Sequence, residues 1–135
     1  MALYEWKPEH SVSVLRFDSE HKKLFALLNE LNDAMAEGRG RFAVVRILQE
    51  LADYARRHFT GEESAMRRAK FSGLEAHIAE HREFAAAIEK FYAEYTEGGG
   101  TIPIDVLYFL RDWLLKHILQ TDRRYGEALN RAGIH

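Results

Sequence analysis

Apolar residues at Val44, Leu48, Leu51 and Ala55 step by four, three and four, the stripe of a helix that buries one face. The next steps of the same stripe land on His58 and Glu62. A helix that fills a core with Leu and Ala therefore turns an imidazole and a carboxylate to the same side. The pattern recurs along the chain. Further stripes run through His21, Leu24, Leu28, Leu31 and Met35, and through Leu74, His77, His81, Phe84, Ile88, Phe91 and Tyr95. A last one runs through Leu107, Leu110, Leu114 and His117. Four helical stripes, each carrying at least one His, restrict the fold more than any other feature.

Boundary signals predict how the stripes connect. Residues 1–17 hold Pro8 and no helical period, but also Trp6, Val12, Val14 and Phe17, which reads as an extended arm packed on a domain. Asp18 is a plausible N-cap for a helix over about 19–37. Helices follow over about 42–69 and 74–95, broken by Gly38, Gly40, Ser72-Gly73 and Gly98-Gly99-Gly100. Pro103 opens the fourth, which runs to about residue 119, and a short helical piece covers 122–132. No repeat or strand pattern is visible. Short loops between long helices favour antiparallel neighbours, so the expected fold is all-α, an up-down-up-down four-helix bundle over about 19–132 in one domain of residues 1–135.

Composition removes several functions. With 19 basic and 21 acidic side chains, the chain lacks the basic excess of nucleic-acid binders. The pairs Arg56-Arg57, Arg67-Arg68 and Arg123-Arg124 read as solvated helix faces. No Cys is present, so thiolate chemistry is excluded. No apolar run approaches the roughly 20 residues of a membrane span, and the N-terminus has no signal-peptide pattern. The expectation is a cytoplasmic protein without membrane or nucleic-acid partners.

In an alternating bundle, the start of the first helix is level with the end of the second, the start of the third and the end of the fourth. His21, His58, Glu62, His77, His81 and His117 then share one layer. A lone His on an apolar stripe is usually a core residue with one hydrogen bond. Five at one height, left unpaired, would cost about 1–3 kcal/mol each, a sum that rivals the roughly 5–15 kcal/mol stability of a domain. Metal is the natural partner. His58 with Glu62, and His77 with His81, stand four apart on one helix face. Asp122 follows His117 by five, so it joins the layer only if the helix breaks or widens between Ile118 and Thr121. Otherwise it caps the last helical piece.

Five imidazoles and two carboxylates exceed the coordination of one ion. Two ions fit if Glu62, Asp122 and a hydroxide bridge them. His77, His81 and His117 then complete one six-coordinate metal, and His21 and His58 leave the other five-coordinate with an open position. His77-Ile78-Ala79-Glu80-His81 matches a zinc-peptidase pattern, but Glu80 falls off the inward stripe and the other ligands would be surplus. His10 and His135 lie off every stripe and have no assigned role.

These residues resemble the hemerythrin family, most closely its bacterial single-domain members, over nearly the whole chain. Trp6 stands in the arm, Phe17-Asp18-Ser19-Glu20-His21 resembles the stretch around the first ligand, and HFTGEESAM resembles the family's His-Phe-x-x-Glu-Glu segment. His77 and His81 resemble its H-x-x-x-H pair, and Trp113 to Asp122 its Trp-Leu-x-x-His with Asp five later. Ser13 stands where Gly is common, Phe71-Ser72-Gly73 replaces a usual Tyr-Pro loop, and Gly61 sits inside a helix at roughly 1 kcal/mol relative to Ala. The resemblance implies a non-haem centre of two iron ions, bridged by hydroxide or oxide, that binds O2 reversibly at the five-coordinate iron. Leu24, Phe59, Trp113, Ile118 and Leu119 match the lining of its O2 pocket. It implies a monomeric, non-enzymatic carrier, store or deliverer of O2 that supplies an oxygen-consuming enzyme. The alternatives are a sensor acting through a partner, or a di-iron enzyme that reduces peroxide or nitric oxide. Oxygen-activating bundles use more carboxylates, on Glu-x-x-His motifs, which this sequence lacks.

Overall fold

A computed structural model describes residues 4–97 and 104–135. Four long helices dominate: α1 (Leu15–Ala36), α2 (Arg41–Arg68), α3 (Leu74–Glu97) and α4 (Ile104–Lys116). The last continues without a break into a π turn (His117–Thr121), a 3-10 turn (Asp122–Tyr125) and a short α5 (Gly126–Arg131). No strand occurs among the described residues. Each long helix packs on the next, and α4 returns to α1, which makes the expected four-helix bundle. Gly98-Gly99-Gly100 and Pro103 lie outside the described residues. No described helix is long and apolar enough to cross a membrane.

The stripes are the core. Leu24, Leu28, Leu31, Leu48, Leu51, Phe84, Leu107 and Leu110 are fully buried. The end of the bundle away from the His layer is filled by Leu31, Ala34, Val44, Ile47, Leu48, Tyr95 and Leu107. Met35, Leu74 and Phe91 are only half-buried, and Ala34 takes the inward place expected for Met35. The arginine pairs are exposed, as expected of solvated faces.

The start of the first helix differs from expectation. Asp18 is not its N-cap: the helix begins at Leu15, and the Asp18 N–H already bonds the Val14 carbonyl at 3.0 Å. The Asp18 carboxylate turns back to the arm instead, accepting from the Ser11 hydroxyl (2.5 Å) and the Val12 N–H (2.8 Å). Burial of Val12, Val14 and Phe17 draws the chain in early. The arm, with a 3-10 turn at Pro8–His10, is tied to α1 by two hydrogen bonds between the Tyr4 backbone and the Asn29 side chain.

Ser13, between arm and helix, has φ of 66°, a left-handed conformation that strains any residue with a Cβ. Replacement Ser13→Gly is expected to stabilise the protein by up to about 1 kcal/mol, relief of strain less the entropy of glycine. Denaturant unfolding checks this; a variant less stable than the parent would show that the Ser13 conformation is not strained.

Candidate metal centre

The six polar residues of the stripes and Asp122 meet in one layer, and none is more than 3 % exposed. α1 brings His21, α2 brings His58 and Glu62, and α3 brings His77 and His81. The π turn brings His117, and Asp122 follows directly. In a regular α-helix Asp122 would point about 140° away from His117. The π turn removes that offset. The Asp122 N–H is shared between the carbonyls of His117, five back, and Ile118, four back. The carboxylate then comes to 2.9 Å from His117 Nε2 and 2.7 Å from His77 Nε2. The widening falls where the five-residue step requires it, and Asp122 is a buried member of the layer, not a helix cap.

The donor atoms form two groups that share Glu62. Glu62, His77, His81, His117 and Asp122 offer ligand atoms all within 4.8 Å of one another, and so do His21, His58 and Glu62. Asp122 also reaches toward the second group, with Oδ2 3.1 Å from His21 Nε2. Many of these close pairs are not hydrogen bonds. His21 Nε2, His81 Nε2, His117 Nε2, Glu62 Oε1 and Asp122 Oδ2 have no partner aligned to bond them. These atoms cluster within a few ångströms of one another without bonding one another. Buried polar atoms are rarely left so, and this donor set fits two cations of the first transition row.

Behind the layer, imidazoles are held by carboxylates. His58 Nδ1 donates to Glu20 (2.6 Å), His81 Nδ1 to Glu63 (2.7 Å) and His117 Nδ1 to Glu80 (3.0 Å). Glu80 also accepts from the Thr121 hydroxyl at 2.9 Å. Each bond places the proton on Nδ1 and leaves Nε2 free to face a metal. Sequence reading missed all three carboxylates, and discarded Glu80 as off-stripe. It also missed Tyr125, fully buried, whose hydroxyl donates to Glu62 Oε2 at 2.5 Å. Gly61 has a reason as well. A Cβ there would lie 2.5 Å from the guanidinium of Arg16, which rests against α2 while pairing with Glu20 on its own helix α1 at 3.1 Å.

Aromatic rings cover the imidazoles. Phe59 stacks on His81 with centroids 4.0 Å apart, and Trp113 on His117 at 4.6 Å. Tyr125 lies against His77, Phe17 against His58 and Trp6 against His21. Of the residues expected to line a small-molecule pocket, Leu24, Phe59 and Ile118 are buried. Trp113 and Leu119 are half-buried. His10 is buried in the arm beside Tyr4 and accepts the Lys7 N–H at Nδ1 (2.9 Å), outside the layer.

The electrostatics of the metal-free layer follow from its carboxylates. Burial pushes the His21 imidazole down, but Asp122 and Glu62 reverse this and carry it up to about 10. His117, opposed by burial and favoured by Asp122, Glu62 and Glu80, rises to about 9. Burial raises Glu62 and Asp122, yet the surrounding imidazoles hold both well below the ordinary carboxylate range. Burial and Glu62 together raise the Tyr125 phenol well above its usual value.

A family model described as the hemerythrin HHE cation binding domain matches residues 13–129. Bacteriohemerythrin of Methylococcus capsulatus is 33 % identical over 131 residues, covering 96 % of this chain and 99 % of that protein. Myohemerythrin of Theromyzon tessulatum is 26 % identical, with 93 % of each chain covered. A solved wild-type hemerythrin structure superimposes with a TM-score of 0.88 at 32 % identity, covering 95 % of this chain and 98 % of that one.

Both His21 and His117 stand above the 6.5 of a free imidazole. In the metal-free protein their contacts with the carboxylates contribute fully below pH 6.5 and are lost as pH rises through about 9 to 10. The melting temperature of the chelated protein is therefore expected to fall across that window. The metal-loaded protein should not follow it, because metal replaces the protons. Parallel pH profiles for the two forms would contradict this account of the layer.

Proposed function

This chain belongs to the hemerythrin family, and from that premise we propose that it binds O2 reversibly at a non-haem di-iron centre, to carry, store or deliver it. The observation that carries this reading is the layer of seven buried donors, arranged as two groups that share Glu62. In this reading His77, His81 and His117 would hold one iron and His21 and His58 the other, with Glu62 and Asp122 within reach of both groups. An iron pair held by these residues would supply the reversible redox chemistry that O2 binding needs.

The chain's own residues do the rest. One position would be served by three imidazoles and the two shared carboxylates, and the other by two imidazoles, which would leave it room for a small ligand. The tautomers fixed by Glu20, Glu63 and Glu80 keep Nε2 toward the metals. Tyr125 holds the bridging Glu62 by its second oxygen. Leu24, Phe59 and Ile118, with Trp113 and Leu119 at the margin, form the apolar surround that keeps water and protons from bound O2. The donor set is rich in imidazole and lacks the extra Glu-x-x-His carboxylates of oxygen-activating bundles, which supports binding over turnover.

Two irons per chain are expected on elemental analysis of the isolated protein. The reduced protein, titrated anaerobically with O2 and then purged, should return fully to its starting spectrum. One zinc per chain, or irreversible oxidation with turnover, would overturn the reading.

The two irons should also respond differently to loss of a ligand. His58→Ala removes one of two imidazoles from the open iron and is expected to leave about one iron per chain, with no reversible O2 binding. His81→Ala opens the filled iron instead, and is expected to keep both irons but oxidise faster. Iron content and spontaneous oxidation rate of each variant check this. Two irons and intact O2 binding in His58→Ala would refute the division of imidazoles proposed here.

A further inference from the structure

The three carboxylates behind the layer are arranged by a rule. Glu20 on α1 holds His58 on α2, Glu63 on α2 holds His81 on α3, and Glu80 on α3 holds His117 at the end of α4. Each helix thus fixes an imidazole on the next. Each carboxylate is also the chain neighbour of a layer residue on its own helix: Glu20 precedes His21, Glu63 follows Glu62, and Glu80 precedes His81. One residue along an α-helix turns the side chain by about 100°, away from the bundle axis and toward an adjoining helix. Viewed from one end of the bundle, reversing a right-handed helix exchanges the sense of a forward and a backward step. The order before, after, before on helices that alternate in direction therefore turns all three carboxylates the same way round the bundle.

The ring does not close. On α4 the residue after His117 is Ile118, which is buried and apolar. The residue after Asp122 is Arg123, which is exposed. Asp122 meets His21 only at Nε2, on the side of the layer; no described carboxylate stands behind it, and His21 Nδ1 has no partner. His77 Nδ1 has none either. Behind the group of three imidazoles stand two carboxylates, Glu63 and Glu80. Behind the pair His21 and His58 stands one, Glu20.

We propose that Glu20, Glu63 and Glu80 are positioning residues whose uneven distribution widens the difference between the two metal positions beyond that set by the number of imidazoles. This rests on the two-metal reading of the layer given above. A carboxylate on Nδ1 makes the imidazole a stronger donor and orients it. It also adds negative charge close to the metal, which favours the higher oxidation state. The position of His77, His81 and His117 is then the tighter one, and its metal the more readily held as ferric. The carboxylates touch imidazoles and not the reacting atoms, so they act through their ligands.

Glutamine keeps the size and an acceptor oxygen but removes the charge. The side chains of Glu20, Glu63 and Glu80 are 20 %, 23 % and 39 % exposed, so Glu20→Gln, Glu63→Gln and Glu80→Gln should each fold, which circular dichroism verifies. The first readout is titration of each metal-free full-length protein with cobalt(II), followed by its visible absorption. Wild type should bind in two steps of different affinity. Glu63→Gln and Glu80→Gln should each weaken the tighter step by about 10–100-fold. Glu20→Gln should weaken the second step and spare the first. The second readout is the midpoint potential of the iron-loaded proteins, which should rise in every variant. Equal weakening of both steps by all three substitutions would overturn the proposal, as would unchanged affinities and potentials. A merely structural role would lower the melting temperature and leave the potential unmoved. The cobalt experiment involves no O2, so a wild-type protein that fails to bind O2 would sink the functional reading while the cobalt steps still decide the ring.

Discussion

The structure depends on a cost that the protein cannot meet with its own hydrogen bonds. Five imidazoles and two carboxylates are buried where helices would ordinarily place Leu and Ala. Leaving buried polar atoms unpaired costs about 1–3 kcal/mol each, and several of these atoms have no aligned partner in the layer. Two cations bound among these donors, as proposed above, would remove that cost together. The burial that makes the metal-free layer expensive would also make a loaded layer selective, since few groups other than a metal satisfy so many clustered donors.

Much of the surrounding chain serves this layer. The π turn at His117–Thr121 gives up regular α-helical bonding to bring Asp122 inward. Thr121, within that turn, bonds Glu80, which bonds His117, so the distorted backbone and the imidazole it carries are held by one carboxylate. Gly61 loses helix propensity, and the space takes the guanidinium of Arg16, which pairs with Glu20, the partner of His58. The arm adds Trp6 over His21, the imidazole that no carboxylate backs. Residues that look unfavourable locally each have a partner at the centre.

Apolar rings and polar carboxylates divide the work around the imidazoles. Phe59 and Trp113 lie flat on His81 and His117, which excludes water from the ring faces. Glu63 and Glu80 reach the same imidazoles at the edge. Flat stacking restrains tilt, and the edge hydrogen bond restrains rotation about the ring axis. An imidazole held in both ways loses little further freedom on meeting a metal, which favours binding through preorganisation.

The sequence by itself determined the helices, their inward faces and the seven donors. Helical periodicity is a local property, and every donor lay on a stripe, except Asp122, which the five-residue step tied to a break in the helix. The same local reasoning misplaced the start of α1, because Asp18 has the chemistry of a cap but Phe17, one residue earlier, is needed in the core. Only the tertiary structure decided the contacts between helices: Glu20 with His58, Glu63 with His81, Glu80 with His117, and Tyr125 with Glu62. These partners stand 38, 18, 37 and 63 residues apart, so no repeat along one helix announces them. Periodicity fixes which way a side chain points from its own axis. Which group it meets depends on the neighbour's height, direction and rotation, and those are set only when the four helices pack.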